Sequence, residues 1–385
     1  MNMKVFNAPD SKGLLKGSPA TSSQTQIWLS EKTHSSKNQQ SKVTFTVDVS
    51  GRVGIKRLKK AIECVLQSQS AYNVYFYLKD NQLMFSERTS IQTDTNDVSF
   101  VVLENINKTR FNLDDGPLYK ITIYRLSKTN VRVLFQFHHI IFDQFSVHLF
   151  WNQVVDYYNG VQQELPTSSN FLAFVEKPNF GMTRNDLVRI RKEWAEKYTR
   201  IDDIKIIWIS EKDWEISQQR VQFKLIKKKQ SLTSINILMG EIISNVLSKR
   251  YCSNFKDKLN IAIPYVNRFK EELYIQGHFV NMLPMMIGRS DFTPSLEECV
   301  SMMTDNFMEL FWRQRLSFDE ILSTLNFPSR NEKSGFVQIA YVYARKIKLT
   351  PLNMSTRVKF KEIIQTPIDF PLVIYVLEGK NRNND

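Results

Sequence analysis

The sequence predicts a mixed α/β (α+β) fold arranged in two lobes, and three observations lead there. Period-two strand signals alternate with amphipathic helix signals along the chain, and its 385 residues exceed what one hydrophobic core usually serves. A more polar interval at residues 159–185, holding Gly160, Pro166 and Pro178, separates two stretches of similar grammar. Domains are therefore expected at residues 1–180 and 181–385.

The elements follow in order. Residues 43–49 read as a strand, and Ile55, Leu58, Ile62, Val65 and Leu66 then mark one face of a helix with its lysines turned outward. Residues 73–78 and 82–86 form a strand pair around Lys79-Asp80-Asn81, and residues 118–126 and 130–137 form another around Ser127-Lys128-Thr129. In the second of these, Val131, Val133, Phe135 and Phe137 alternate with Arg132, Leu134 and Gln136, the pattern of a half-buried strand. A helix is expected over residues 145–158, from Phe145, Leu149, Val154, Val155 and Tyr158. The second half predicts helices at 184–198 and 232–249, and another opening at Thr293-Pro294 with Leu296, Val300, Met303, Phe307 and Leu310 on one face. Its strands are expected at 221–226, 258–264, 336–342 and 372–377.

Composition narrows the function classes. Apolar residues make up 42 % of the chain and aromatics 12 %, ample for burial. There is no apolar run of about 18 residues, and residues 1–17 are polar with no apolar signal core, so neither a membrane span nor secretion is expected and the cytoplasm is the expected address. Cys64, Cys252 and Cys299 are odd in number and far apart, which suits reduced thiols. The net charge of +13 is spread over Lys56, Lys59 and Lys60, then residues 227–229, then Arg345, Lys346 and Lys348. Such runs are solvated faces, so no nucleic-acid partner is expected; an acidic protein partner suits the charge better.

His138-His139-Ile140-Ile141-Phe142-Asp143-Gln144 is the chemically richest stretch, since the chain has only five histidines. It lies where a predicted strand gives way to a predicted helix, a location that gathers functional groups in α/β architectures. Adjacent strand residues point to opposite faces, so one histidine is expected to be structural. A neutral imidazole there can take a proton from an attacking nucleophile, while packing alone also accounts for a histidine pair. Asp143 can cap the helix or brace the loop against an arginine. A metal site would need a third ligand, for which His148 is the nearby histidine, and none is expected. Phosphate loops, nucleophile elbows and H-E-x-x-H motifs do not occur.

This stretch resembles the HHxxxDG motif of condensation domains of nonribosomal peptide synthetases, within the chloramphenicol acetyltransferase-like superfamily. Further segments match in order. Residues 21–28, with Gln24 and Trp28, are similar to the opening SxAQxRLW motif; Phe111-Asn112-Leu113 and residues 116–120 look like the segment before the active-site strand. Gly277-His278-Phe279-Val280-Asn281 is similar to the GxFVN motif, with Arg268 upstream, and Phe336-Val337-Gln338-Ile339 resembles a late strand.

The resemblance implies two chloramphenicol acetyltransferase-like lobes in a V-shaped pseudo-dimer, with a tunnel entered by phosphopantetheine arms. It implies His139 as the catalytic residue, with His138, Asp143 and Arg268 supporting it. Gln24, Trp28, Gln144, Ser146, Gly277, Phe279 and Asn281 would line the tunnel or contact substrate. No bound cofactor or metal is implied, since thioesters arrive on carrier proteins or as coenzyme A. The expected partners are acyl or peptidyl carrier proteins and other synthetase enzymes, around a monomer. Departures are also present: Gln144 replaces the motif glycine, which predicts a narrowed tunnel or an altered loop, Met286 stands where arginine is usual, and the family's last strand and helix are expected to be missing after residue 377. Three functions follow from the resemblance: condensation-type acyl transfer to an amine or hydroxyl, a weak or inactive module that binds carriers, and a coenzyme-A-dependent acyltransferase.

Overall fold

The computed structural model describes residues 17–33, 41–88, 95–98, 109–161, 170–177, 181–198, 235–253, 256–288, 295–325, 336–363 and 370–377. In chain order its elements are β1 (Ser18–Pro19), α1 (Ser22–Thr33), β2 (Lys42–Gly51), α2 (Ile55–Ser68), β3 (Val74–Lys79), β4 (Gln82–Glu87), β5 (Thr95–Val98), β6 (Tyr119–Arg125) and β7 (Asn130–His138). Then come α3 (Ser146–Asn159), α4 (Phe171–Val175), α5 (Arg184–Lys197), α6 (Ile235–Tyr251), β8 (Lys258–Tyr265), β9 (Asn281–Gly288), α7 (Leu296–Arg313), α8 (Phe318–Thr324), β10 (Ile339–Ala344), β11 (Thr356–Ile363) and β12 (Leu372–Leu377). The strand expected at 221–226 lies outside the described residues.

Two compact units result. One comprises Met1–Thr183, Arg268–Phe279 and Ile347–Gln365; the other comprises Arg184–Asn267, Val280–Lys346 and Thr366–Asp385. The expected division at 180/181 thus differs in two segments of the second half, which pack with the first. Hydrogen bonding explains one of them. β11 pairs antiparallel with β2 along its full length, Trp151 Nε1 donates to the Thr350 carbonyl at 2.8 Å, and Asn159 Nδ2 donates to the Leu352 carbonyl at 2.7 Å.

The first unit is built on a five-stranded sheet in the order β11-β2-β7-β6-β5. β7 is its central strand, antiparallel to β2 and to β6. Phe45, Val47 and Val49 of β2 and Val131, Val133, Phe135 and Phe137 of β7 join one core with Leu58, Ile62, Val65 and Leu66 of the predicted α2 face, with Ala61 beside them and the predicted Ile55 partly buried, and with Val147, Phe150, Trp151 and Val154 of α3. Period two predicts a polar, half-exposed second face for β7, yet Leu134, Gln136 and His138 are buried as well. A central strand loses the solvent on both faces toward its C-terminal end. Within the polar interval, the described residues 170–177 hold α4, whose Phe171 and Phe174 are buried against Phe279.

The second unit holds a four-stranded sheet, β12-β10-β8-β9, with β8, β10 and β12 parallel and β9 antiparallel. The buried Tyr198 hydroxyl donates to Asn260 Oδ1 at 3.0 Å and ties the end of α5 to β8. α7 begins at Leu296, where Ser295 and Glu298 form a reciprocal cap: the Ser295 hydroxyl accepts from the Glu298 amide and the Glu298 carboxylate accepts from the Ser295 amide; the Thr293-Pro294 opening expected for this helix lies outside the described residues.

Candidate active site

The first unit places the histidine pair at the point where β7 ends. The strand closes at His138 and a single tight turn, His139–Ile141, follows. Phe142 then drops its ring into the core, stacked on Phe137 at 4.0 Å between centroids, and is fully buried. Burying a phenylalanine contributes about 1.5–3 kcal/mol, so this residue anchors the turn. Its carbonyl is fixed as a consequence.

That carbonyl sets the chemistry of His139. Nδ1 of His139 lies 2.8 Å from the Phe142 oxygen, and a carbonyl can only accept, so Nδ1 carries the proton. In the neutral form of the ring, Nε2 then keeps a bare lone pair. His138 has the opposite arrangement. Its Nδ1 accepts from the Ile140 amide at 3.1 Å, and its Nε2 donates to the Glu31 carboxylate at 2.8 Å. Both nitrogens of His138 are occupied in a fully buried ring, whereas His139 is half-buried. Glu31 also accepts from the Ser41 amide, and Gln24 donates from Nε2 to the Ile140 carbonyl at 2.9 Å, so α1 holds the turn from two sides.

Asp143 is the hub beneath the turn. It is fully buried, and the Arg268 guanidinium meets it through two bonds, Nη1 to Oδ2 at 2.6 Å and Nη2 to Oδ1 at 3.1 Å. Oδ1 also accepts from the amide of Ser146, the first residue of α3, at 2.9 Å, and Oδ2 accepts from the Phe279 amide at 3.1 Å. One side chain thus takes the amide at the start of α3 and pairs with the arginine. Burial pushes the Asp143 carboxyl up, but the Arg268 charge and hydrogen bonds, helped by the Ser146 amide, outweigh it and hold the group below its ordinary value. Arg268 is itself sandwiched between the rings of Phe145 and Phe279, at 4.7 and 4.2 Å from the centroids.

Arg268 also donates to the Gly277 carbonyl at 3.1 Å, and the Gly277 amide donates to the Ser146 hydroxyl at 3.2 Å. Gly277 has φ +150°, and a Cβ there would lie 2.5 Å from Phe171 Cδ2, so only glycine fits. Gln276 closes the back of the segment, accepting from the Tyr72 hydroxyl and donating to Gln153 Oε1 at 2.6 Å. These bonds explain why Arg268–Phe279 packs with the first unit.

The structure brings together His138, His139, Asp143, Ser146, Arg268, Gly277, Phe279 and Gln24. Trp28 packs against the core with Lys32 Nζ over its ring at 5.4 Å. Asn281 belongs to the second unit, where its side-chain amide donates to the Gln314 and Leu316 carbonyls at 2.8 Å each. Gln144 is half-buried, and its backbone does not adopt a positive φ, unlike Asp80, Asn81, Asn267 and Lys270.

Two residues of the cluster escape the sequence reading. The His278 and His139 rings are perpendicular with centroids 4.9 Å apart, and burial, followed by the His139 ring, pushes the His278 imidazole down to about 3. Its rarity among five histidines and its place beside Gly277 were signals available for it. Glu31 carried none, being one acidic residue on a polar helix.

The condensation domain family model matches residues 16–382. This chain belongs to the condensation domain family. Among curated proteins, this condensation domain is similar to gramicidin S synthase 2 of Aneurinibacillus migulanus, 20 % identical over 387 residues, covering 87 % of this chain and 8 % of that protein. It spans less than a tenth of the curated relatives it matches. Among solved structures, a mutant starter condensation domain of rhizomide synthetase RzmA in complex with C8-CoA and Leu-SNAC superimposes with a TM-score of 0.72 at 13 % identity, covering 94 % of this chain and 85 % of that one. The condensation domain from monacolin K polyketide synthase MokA gives 0.69 at 14 % identity, covering 94 % and 89 %. At these identities the likeness is one of fold. Among the described residues of the domain, no helix is long and apolar enough to cross a membrane.

Proposed function

We propose that this condensation domain transfers an acyl or aminoacyl group from a phosphopantetheine thioester to an acceptor amine, with His139 as the proton acceptor. The observation that carries the reading is the tautomer of His139: Nδ1–H is given to the Phe142 carbonyl, which leaves Nε2 bare within a family of acyl-transfer domains. In the reaction the amine nitrogen attacks the thioester carbonyl carbon and a C–N bond forms. The proton lost by that nitrogen passes to Nε2 of His139. The C–S bond then breaks, and the departing sulfur takes the proton from His139, so the products are an amide and a free thiol. The thioester is already activated, and catalysis reduces to positioning and proton transfer.

The supporting residues act through shape and charge. Asp143 and Arg268 neutralise each other and fix the loop that carries His139, while His138, with both nitrogens occupied, braces the end of β7 against Glu31. The donor is delivered by a carrier protein. The C8-CoA and Leu-SNAC held by the RzmA domain have the thioester chemistry this reading requires.

The test is turnover from an acyl-loaded carrier protein and from a panel of acyl N-acetylcysteamine thioesters with amine acceptors, read by mass spectrometry. His139→Ala is expected to lose about 10²- to 10⁴-fold in rate, the usual contribution of a positioned base, with its melting temperature unchanged. Wild-type turnover by that variant would refute the proton-acceptor role. A wild-type domain that binds the loaded carrier and forms no product from any thioester would leave a binding module instead.

A further inference from the structure

His278 is the third imidazole of the cluster, and hydrogen bonding among the described residues does not account for its place. The chain on either side of it is pinned: the Gly277 amide donates to the Ser146 hydroxyl, the Gly277 carbonyl accepts from Arg268, and the Phe279 amide donates to Asp143. Between these anchors His278 is 4 % exposed, and its buried Nδ1 has no hydrogen-bond partner among the described residues. Its ring contact is with His139, perpendicular and at 4.9 Å. The two rings are thus fixed by the same hub, His139 through the turn that ends at Asp143 and His278 through the amide that Asp143 holds.

We propose that His278 is a positioning residue for His139, its flat ring walling one side of the His139 imidazole so that this ring cannot turn away from the Phe142 carbonyl. With that rotation blocked, Nδ1–H stays on the carbonyl and Nε2 keeps both its lone pair and its direction. The charged neighbours are consistent with such a passive wall. Asp143 and Arg268 form an ion pair, and Glu31 is taken up by His138. A buried, neutral His278 adds no charge beside the imidazolium that His139 becomes during transfer.

This inference rests on the reading of His139 as the proton acceptor, but its test does not require turnover. The full chain is labelled with ¹⁵N-histidine and its five imidazoles are read by long-range ¹H–¹⁵N correlation, with His139→Ala and His278→Phe assigning the two rings. In the wild type, His139 is expected to show a protonated Nδ1 and a bare Nε2. In His278→Ala the two nitrogens should converge in shift as the tautomers mix, and His278→Phe, which keeps a flat ring without nitrogen, should retain the wild-type pattern. An unchanged His139 pattern in the alanine variant, or a converged pattern in the phenylalanine variant, would overturn the proposal. If the alanine variant does not fold, His278→Leu takes its place with the same two outcomes. In the turnover assay His278→Ala should lose up to about 10²-fold in kcat with little change in KM, as expected of a misplaced catalytic group. A domain dead as His139→Ala and fully active as His278→Ala would refute this proposal alone, whereas a fully active His139→Ala would refute the reading beneath it.

Discussion

Replacing Arg268 by methionine isolates the electrostatic hub of the site. The substitution keeps an unbranched apolar stem between Phe145 and Phe279 and removes the guanidinium, which donates two bonds to Asp143, one to the Ser146 hydroxyl and one to the Gly277 carbonyl. Asp143 then remains fully buried as a carboxylate with amide and hydroxyl donors but no cation. Breaking a buried pair from one side costs about 3–5 kcal/mol, because the stranded charge cannot return to water. Urea unfolding at pH 7, followed by circular dichroism, should register a loss of that size. The pH dependence supplies the sign. In the wild type the folded Asp143 pKa lies below its unfolded value, so its contribution is fully present above the ordinary carboxylate range and is lost as pH falls through the folded value. In the variant, burial, the largest influence on the group, is opposed by the amide and hydroxyl donors without the arginine and should raise the folded pKa, so the folded state binds the proton more readily and the variant recovers stability as pH falls. The gap between the two proteins must therefore narrow from pH 7 toward about pH 4. A loss below about 1 kcal/mol, or a gap constant with pH, would refute the hub.

Two further substitutions probe the support around it. Gly277→Ala places a Cβ 2.5 Å from the buried Phe171 ring at φ +150°, and overpacking with backbone strain should cost at least about 2 kcal/mol; an unchanged melting temperature would contradict the packing described. Asn281→Ala strips the donor from the Gln314 and Leu316 carbonyls in the second unit, a loss of about 1–3 kcal/mol by urea titration, and His139 tautomer signals should stay as in the wild type.

The local elements of the first unit were legible because each is an amphipathic pattern that its own residues generate. The α2 face predicted from Leu58, Ile62, Val65 and Leu66 is the face that is buried, and β7 runs through the predicted alternation. β9 and β11 were not anticipated. Asn281–Gly288 carries proline and methionines in place of a clear alternation, and β11 finds its partner β2 some 300 residues away, which no local window contains.

By itself, the sequence determined the family, the motif order from Gln24 to Asn281, and the position of the histidine pair at the end of a strand, because these depend on residue identity and short-range periodicity. Tertiary structure decided which nitrogen of each histidine donates. That choice is made by Glu31 and the Ile140 amide for His138, and by the Phe142 carbonyl for His139. It also brought Arg268 onto Asp143 across 125 residues and set His278 against His139. Tautomers, buried ion pairs and ring contacts depend on which groups share a low-dielectric space, and only the folded chain assembles that space.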